Sequence, residues 1–382
     1  MERQPLIKSD LADRSMMDAS ESHGSNDLNE RAVADTSNES AVPLSTKDPA
    51  AMANHVSQAV KTGDEMPAPL MLHRKKPLLA TSELIDHLKT KGVTFDLVNE
   101  EDAAGYISTK TYYFKIAAYR ALFQKRVGGE RDGQYVGLDF GHLVRLASVD
   151  RTLRYTLLPM TLDVEHFAHA KLLHRVETEP GEDGYSIVAD YMASLNHDNR
   201  RRRLAEINML EPDAYCGDLV RKYRDDMPVW VFLELISFGS FIDFYLFCAN
   251  RWQDSAMEDE HYMLRQVKAA RNAAAHSSNI VNGFGAAAGG IATNDSVSAA
   301  IASAGVSKRV RTSKMRNPRL QQIATLLYVH MRLVPEGTSK DRTRTDLKVL
   351  SAEMESVLAD LAGNDAIRSS FDFLMTLFKK WF

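Results

Sequence analysis

Apolar residues recur every three or four positions over most of the chain after residue 76. This spacing places side chains on one face of an α-helix, and no comparable run alternates with the period of two that is typical of strands. We therefore predict an all-α helical bundle over residues 76–382, with a long helix interrupted at Pro159. The clearest runs are Leu146, Val149, Leu153, Leu157, Met160, Val164, Phe167 and Leu172, then Leu347–Leu361 and Ile367–Phe378.

Two stretches break this pattern. Residues 1–75 contain no Phe, Tyr or Trp, so they lack the apolar area that would offset the entropy of ordering, and we predict a disordered tail. Residues 281–307 are rich in Gly, Ala and Ser, and basic residues follow directly. We predict a flexible insertion at about 281–318. Its basic end, which runs from Lys308 to Arg319, is interpreted either as solvated linker or as a contact for a polyanion.

The stretch Met227–Cys248 is apolar and about long enough to span a bilayer. Glu234 and Asp243 argue against insertion, because each charge would cost about 2.5 to 3.5 kcal/mol at the centre of a membrane helix. Gly239 also divides the stretch into two shorter pieces. We therefore predict that it is buried core and expect no membrane partner.

Composition limits the classes of protein to which this chain could belong. The net charge of −4 gives no general signal for nucleic acid, so any site for a polyanion must be a local patch. The two cysteines, Cys216 and Cys248, have no paired spacing, and the N-terminus has no apolar signal region. We expect a cytoplasmic protein. The chain has no glycine-rich phosphate loop and no G-x-S-x-G motif, so we expect neither nucleotide hydrolysis nor acyl transfer, and we expect no cofactor.

Candidate chemistry is concentrated between Arg271 and His276, where a permanent cation, the amide of Asn272 and an imidazole fall within one and a half helical turns. Asn272 and His276 are four residues apart and share one helix face, and the long side chain of Arg271 can reach the same phosphate. These groups are sufficient for metal-free RNA cleavage. The alternative is structural, with His276 capping the carbonyls at a helix end.

A second cluster comprises Glu165, His166 and His169, in which the two histidines, three residues apart, could share a metal ion. No nearby Asp or Cys completes the set of at least three protein ligands that zinc needs, so we expect no metal site. The run Arg200–Arg203 could contact phosphates or form a solvated helix face, and we favour the solvated face.

Four stretches, in this order, resemble the Abi-like (AbiD/AbiF) family of bacterial abortive-infection proteins, a branch of the HEPN superfamily. The last of them is followed, at the expected place, by Arg271-Asn272 and His276. The stretches are Lys76-Pro77-Leu78-Leu79 with the helix ending at Lys91-Gly92, Tyr112-Tyr113 with Ala118-Tyr119-Arg120, Asp150–Arg154 opening the long helix, and Met227–Val231 with Ser237-Phe238-Gly239.

The resemblance implies a HEPN-like bundle whose Arg-polar-x3-His motif cleaves RNA without metal, usually with two motifs facing each other in a homodimer. His276 would act as general base or acid, Arg271 would stabilise charge on the phosphorane, and Asn272 would orient His276 or a phosphate oxygen. A toxin of this type needs a restraining partner, either an RNA or a protein antitoxin. The alternative function is a catalytically inactive helical module that binds RNA or a protein.

Overall fold

A computed structural model of the protein describes residues 78–285, 292–361 and 364–382. The tail expected at residues 1–75 lies outside them. The described residues form fifteen α-helices and, among themselves, no strand, apart from two isolated β-bridges. The first eight helices are α1 (Thr81–Thr90), α2 (Glu100–Thr109), α3 (Tyr113–Ala117), α4 (Phe140–Thr178), α5 (Ser186–Ser194), α6 (His197–Asn208), α7 (Gly217–Tyr223) and α8 (Val229–Leu235).

The other seven helices are α9 (Phe238–Arg251), α10 (Ser255–Ala275), α11 (Asp295–Ser303), α12 (Lys308–Met315), α13 (Pro318–Leu333), α14 (Thr338–Asp360) and α15 (Asp365–Trp381). The all-α prediction is confirmed. The two apolar runs near the C-terminus form α14 and α15, and the apolar faces of both helices are buried.

The 39-residue helix α4 forms the spine of the bundle, with α10, α13 and α14 packed along it. Helices α9 and α13 pack on α10, and α15 packs on α13 and α14. The apolar run that begins at Leu146 lies along one face of α4 and is buried as its spacing predicts, except for Phe167, which is half-buried. The helix continues through Pro159, which lacks an N–H group and therefore leaves one carbonyl in the preceding turn without its helical partner.

Helices α4 and α10 run antiparallel. Lys171, in the C-terminal half of α4, pairs with Glu260 near the start of α10 at 2.5 Å. At the other end, Asp150 on α4 binds the main chain just beyond α10, at Ile280 and Val281. The C-terminal end of α10 therefore lies beside the N-terminal half of α4.

The apolar stretch Met227–Cys248 forms α8 and α9, joined at Ile236 and Ser237. The Ser237 side chain caps α9 by accepting the N–H of Ser240. The prediction that this stretch is core is confirmed, because most of its large side chains are buried, among them Phe232, Phe238, Phe241 and Phe244, whereas Trp230 is 46% exposed. In the part of the chain that the structure describes, no helix combines the length and the apolar composition needed to cross a bilayer.

The stretch expected to be a flexible insertion at about 281–318 is largely helical where it is described, which corrects that expectation. Residues Val281–Gly283 form a 3-10 turn and α11 begins at Asp295, where Asn294 caps the helix. Val297 and Ile301 on α11 are fully buried. These two residues, four apart, give α11 an apolar stripe that packs on α13, and the Gly, Ala and Ser composition around them concealed it.

Candidate active site at the end of α10

Arg271 and Asn272 lie in the last turn of α10, and His276 is the residue at its C-terminal cap. The helix is fixed at its start by Asp254, whose side chain accepts the N–H groups of Ala256 and Met257. Leu264 and Val267 bury the face of α10 that packs in the bundle. The predicted motif therefore stands at the end of a well-anchored helix.

Main-chain donors satisfy the carbonyls at this helix end. The His276 N–H donates to the carbonyl of Asn272 at 3.0 Å, the Ser277 N–H to Ala274 at 3.1 Å and the Ser278 N–H to Ala273 at 2.9 Å. Ser277 adopts a φ of 54°, the left-handed conformation that commonly ends a helix. The His276 side chain is exposed and forms no hydrogen bond with any described residue. The structure therefore does not need this imidazole as a cap.

Arg271 and Asn272 are half-buried, and the Arg271 guanidinium lies 3.5 Å from the Asn272 side-chain oxygen. Within the described ranges Arg271 forms no ion pair with a carboxylate. Glu165 on α4 is near enough to sense its charge: burial raises the pKa of the Glu165 carboxyl, and Arg271 opposes that rise. Arg271 is therefore a cation that retains its capacity to bind an anion.

A buried carboxylate, that of Asp150 on α4, holds the loop that follows His276. Its Oδ1 atom accepts the N–H groups of Ile280 and Val281, each at 2.9 Å. Its Oδ2 atom accepts the Tyr119 hydroxyl at 2.5 Å and the Arg154 guanidinium at 2.6 Å. Asp150 is completely buried. Burial and the Asp150 carboxylate both raise the pKa of Tyr119, so this phenol remains a donor.

Further contacts fix the same loop from two other elements. Arg319, in the first turn of α13, donates to the carbonyls of Asn279 at 2.7 Å and Ile280 at 2.9 Å. The Asn279 side-chain amide donates to the Lys115 carbonyl at 2.9 Å. The Lys115 ammonium in turn donates to the Ser277 carbonyl at 2.5 Å. Elements that are distant in sequence therefore hold both sides of the segment after His276.

Cations outnumber carboxylates among these residues. Lys115, Arg154, Arg271 and Arg319 carry positive charge, whereas Asp150 and Glu165 are the acids that face them. Burial lowers the pKa of Lys115, and the neighbouring Arg154 charge lowers it further while Asp150 opposes the shift. This end of α10 is therefore a local positive site on a protein whose net charge is −4.

The alternative cluster of Glu165, His166 and His169 on α4 does not form a ligand set. His169 packs against Phe241 with ring centroids 4.3 Å apart, and burial, with His166 beside it, lowers the pKa of His169 to about 4. His166 is exposed. Among the residues described, no three His, Cys, Asp or Glu side chains lie close enough together to hold a metal ion.

Sequence reasoning found the motif on α10 but assigned no role to the residues that hold the loop. In the sequence, Tyr119, Asp150 and Arg154 belong to stretches that resemble the Abi-like family, and nothing local marks them as contacts of that loop. A signal was available: Asp150 and Arg154, four residues apart, interrupt the otherwise apolar face of α4. Charged residues on a buried face require partners, although the sequence does not identify those partners.

Part of the chain is similar to a known protein family. The family model of Abi-like proteins matches residues 106–282. The matched segment includes Tyr119, Asp150 and the whole Arg271–His276 motif, and it ends at the loop held by Asp150. No curated protein and no solved structure matches the chain. The match, which covers a little under half of the chain, supports the Abi-like family for this protein.

Proposed function

We propose that the protein is a metal-independent endoribonuclease of the abortive-infection type, an AbiD/AbiF-like member of the HEPN superfamily that acts as a toxin in defence against phage. Two observations at the end of α10 carry this proposal. The His276 side chain is exposed and does not cap the helix, and Arg271 has no carboxylate partner among the described residues. The family match at residues 106–282 supports a role in abortive infection.

In the proposed reaction, one imidazole removes the proton from a ribose 2′-hydroxyl, and the 2′-oxygen attacks the adjacent phosphorus. The bond from phosphorus to the 5′-oxygen breaks, and the leaving oxygen receives a proton. The products are a 2′,3′-cyclic phosphate and a 5′-hydroxyl. The Arg271 guanidinium would stabilise the charge on the phosphorane, and Asn272 would orient His276 or a phosphate oxygen.

Two proton transfers occur in this reaction, and each chain supplies one His276. We therefore propose a homodimer in which two motifs face each other, one imidazole serving as the base and the other as the acid. Sedimentation at the assay concentration tests the dimer, and a cleaving monomer would contradict it.

The Asp150 contacts would position the loop that follows His276, so Asp150, Tyr119 and Arg154 are positioning residues.

Substrate chemistry tests the proposal without any variant. The attacking group is the 2′-hydroxyl, so we expect an RNA oligonucleotide to be cut and the DNA of the same sequence to remain intact. A DNA strand with one ribonucleotide at the mapped cleavage position should be cut there only. Cleavage of the all-DNA strand would contradict 2′-hydroxyl attack.

The second candidate function is a catalytically inactive module that binds RNA or a protein. The positive site at the end of α10 supports this binding function as well as it supports the ribonuclease, because binding of a polyanion needs the cations but not the imidazole. Intact RNA in every assay, with RNA binding that depends on Arg271, would favour this alternative. The restraining partner of an active toxin would be an RNA or a protein, and growth arrest on expression without that partner is the corresponding test.

A further inference from the structure

A cavity of about 380 Å³ opens between α11 and α12. No acidic side chain lines it. Its polar lining consists of three cations and three hydroxyls: Lys308, Arg311, Arg316, Thr293, Ser298 and Thr312. The mixture of Arg or Lys with Ser or Thr donors is the one that proteins use for phosphate oxygens.

The cations belong to one face of α12. Positions 308, 311, 312, 315 and 316 follow the helical spacing, with Met315 buried and Lys308 and Arg316 exposed. Within the described ranges none of the three cations forms an ion pair with a carboxylate. Arg311 has one weak hydrogen bond, to the Val306 carbonyl at 3.4 Å. The face therefore presents positive charge that the fold itself leaves unneutralised.

This face is connected to the candidate active site. Arg316 is followed by Asn317, whose side chain donates to the Gly283 carbonyl at 2.7 Å. Arg319, two residues after Asn317, donates to the Asn279 and Ile280 carbonyls in the loop that follows His276. The cavity and the end of α10 are thus built on the same short connection. The cations of α12 lie beyond residue 282, where the family match ends.

We propose that the cavity between α11 and α12 binds backbone phosphates of a single-stranded RNA whose scissile linkage lies at His276. This inference rests on the proposed ribonuclease function and identifies where that enzyme holds its substrate away from the cleaved bond. A membrane surface fits less well, because no large apolar side chain of α12 is exposed to enter the lipid. Concave geometry and hydroxyl donors suit individual phosphates.

The test is the triple variant Lys308→Gln/Arg311→Gln/Arg316→Gln, made in the His276→Ala background so that RNA is not consumed. Binding of a labelled single-stranded RNA is followed by anisotropy over a series of KCl concentrations. Each lost phosphate contact reduces the slope of log K against log salt by about 0.7, so we expect the slope to fall by about 2. The affinity at about 0.1 M KCl should fall on the order of 100-fold.

The matched control removes the same charge from α6 with Arg200→Gln/Arg201→Gln/Arg202→Gln, three exposed residues. We expect this variant to bind RNA almost as tightly as the parent. If the two triple variants lose RNA affinity equally, the loss is due to net charge alone, and the proposal is overturned. Unchanged RNA binding in the α12 variant would also overturn it, as would a loss confined to binding of phosphatidylglycerol vesicles.

Cleavage assays separate this inference from the proposed function. With His276 intact, the α12 variant should cleave a dinucleotide at the rate of the wild type, because the single internucleotide phosphate of that substrate is the one that is cleaved. The KM of the variant for long RNA should rise. An equal loss on both substrates would overturn the role in substrate binding. If the wild type never cleaves RNA but the α12 variant still binds RNA more weakly, the proposed ribonuclease function is wrong and the proposed phosphate site stands.

Discussion

Replacing His276 with alanine should reduce RNA cleavage severely and leave the fold intact. General acid–base catalysis contributes about 10²- to 10⁴-fold to a rate, so we expect kcat/KM on RNA to fall by about that factor. The free energy of unfolding should change by no more than about 0.5 kcal/mol, because the side chain is exposed and makes no hydrogen bond with the described residues. Initial rates and urea unfolding measure the two quantities.

The matched control is His174→Ala, which removes an exposed histidine on α4 that lies 3.3 Å from Glu177. This variant should cleave RNA as the wild type does. The hypothesis that His276 only caps the helix predicts the opposite pattern for His276→Ala, namely a loss of about 1 kcal/mol in stability with unchanged cleavage. That result would contradict the catalytic role.

Replacing Asp150 with alanine should destabilise the protein more than any surface change. The substitution leaves two main-chain N–H groups, the Tyr119 hydroxyl and the Arg154 guanidinium without their acceptor in a buried site. Removing one partner of a buried charge pair costs about 3 to 5 kcal/mol, and we expect the free energy of unfolding to fall by that amount. Urea unfolding followed by circular dichroism measures it.

Two further variants define the cause of that loss. Tyr119→Phe removes one of the hydrogen bonds to Asp150 and should cost about 1 to 2 kcal/mol. Asp218→Ala removes a carboxylate that is 95% exposed and pairs with Arg221, and it should cost less than about 1 kcal/mol. A loss for Asp150→Ala no greater than that for Asp218→Ala would show that the buried contacts do not stabilise the loop.

The sequence predicted the helices well because local spacing determines them. The apolar face of α4 and the burial of the Met227–Cys248 stretch were both visible in the pattern of residues. The helix α11 was not, because Val297 and Ile301 form a short stripe in a background of Gly, Ala and Ser. Such a stripe becomes meaningful only when another helix, here α13, covers it.

In the candidate site, too, the sequence predicts what local spacing determines and does not predict contacts between distant residues. The Arg271–His276 motif could be selected from local spacing, because its members are neighbours on one helix. The Asp150 contacts join residues 130 positions apart, at Ile280, and no local pattern specifies such a pair. The capping of α10 by main-chain groups also depends on the left-handed Ser277, which residue type alone does not predict.

The most direct measurement of the central claim is the chemistry of the RNA ends produced in the presence of EDTA by the wild-type protein and by His276→Ala. The account predicts 2′,3′-cyclic phosphates and 5′-hydroxyls from the wild type, undiminished by EDTA, and a yield of these ends from the variant that is lower by about 10²- to 10⁴-fold. Cleavage that EDTA abolishes, 3′-hydroxyl ends, or cyclic phosphates that His276→Ala forms as fast as the wild type would each contradict a metal-free ribonuclease built on Arg271 and His276.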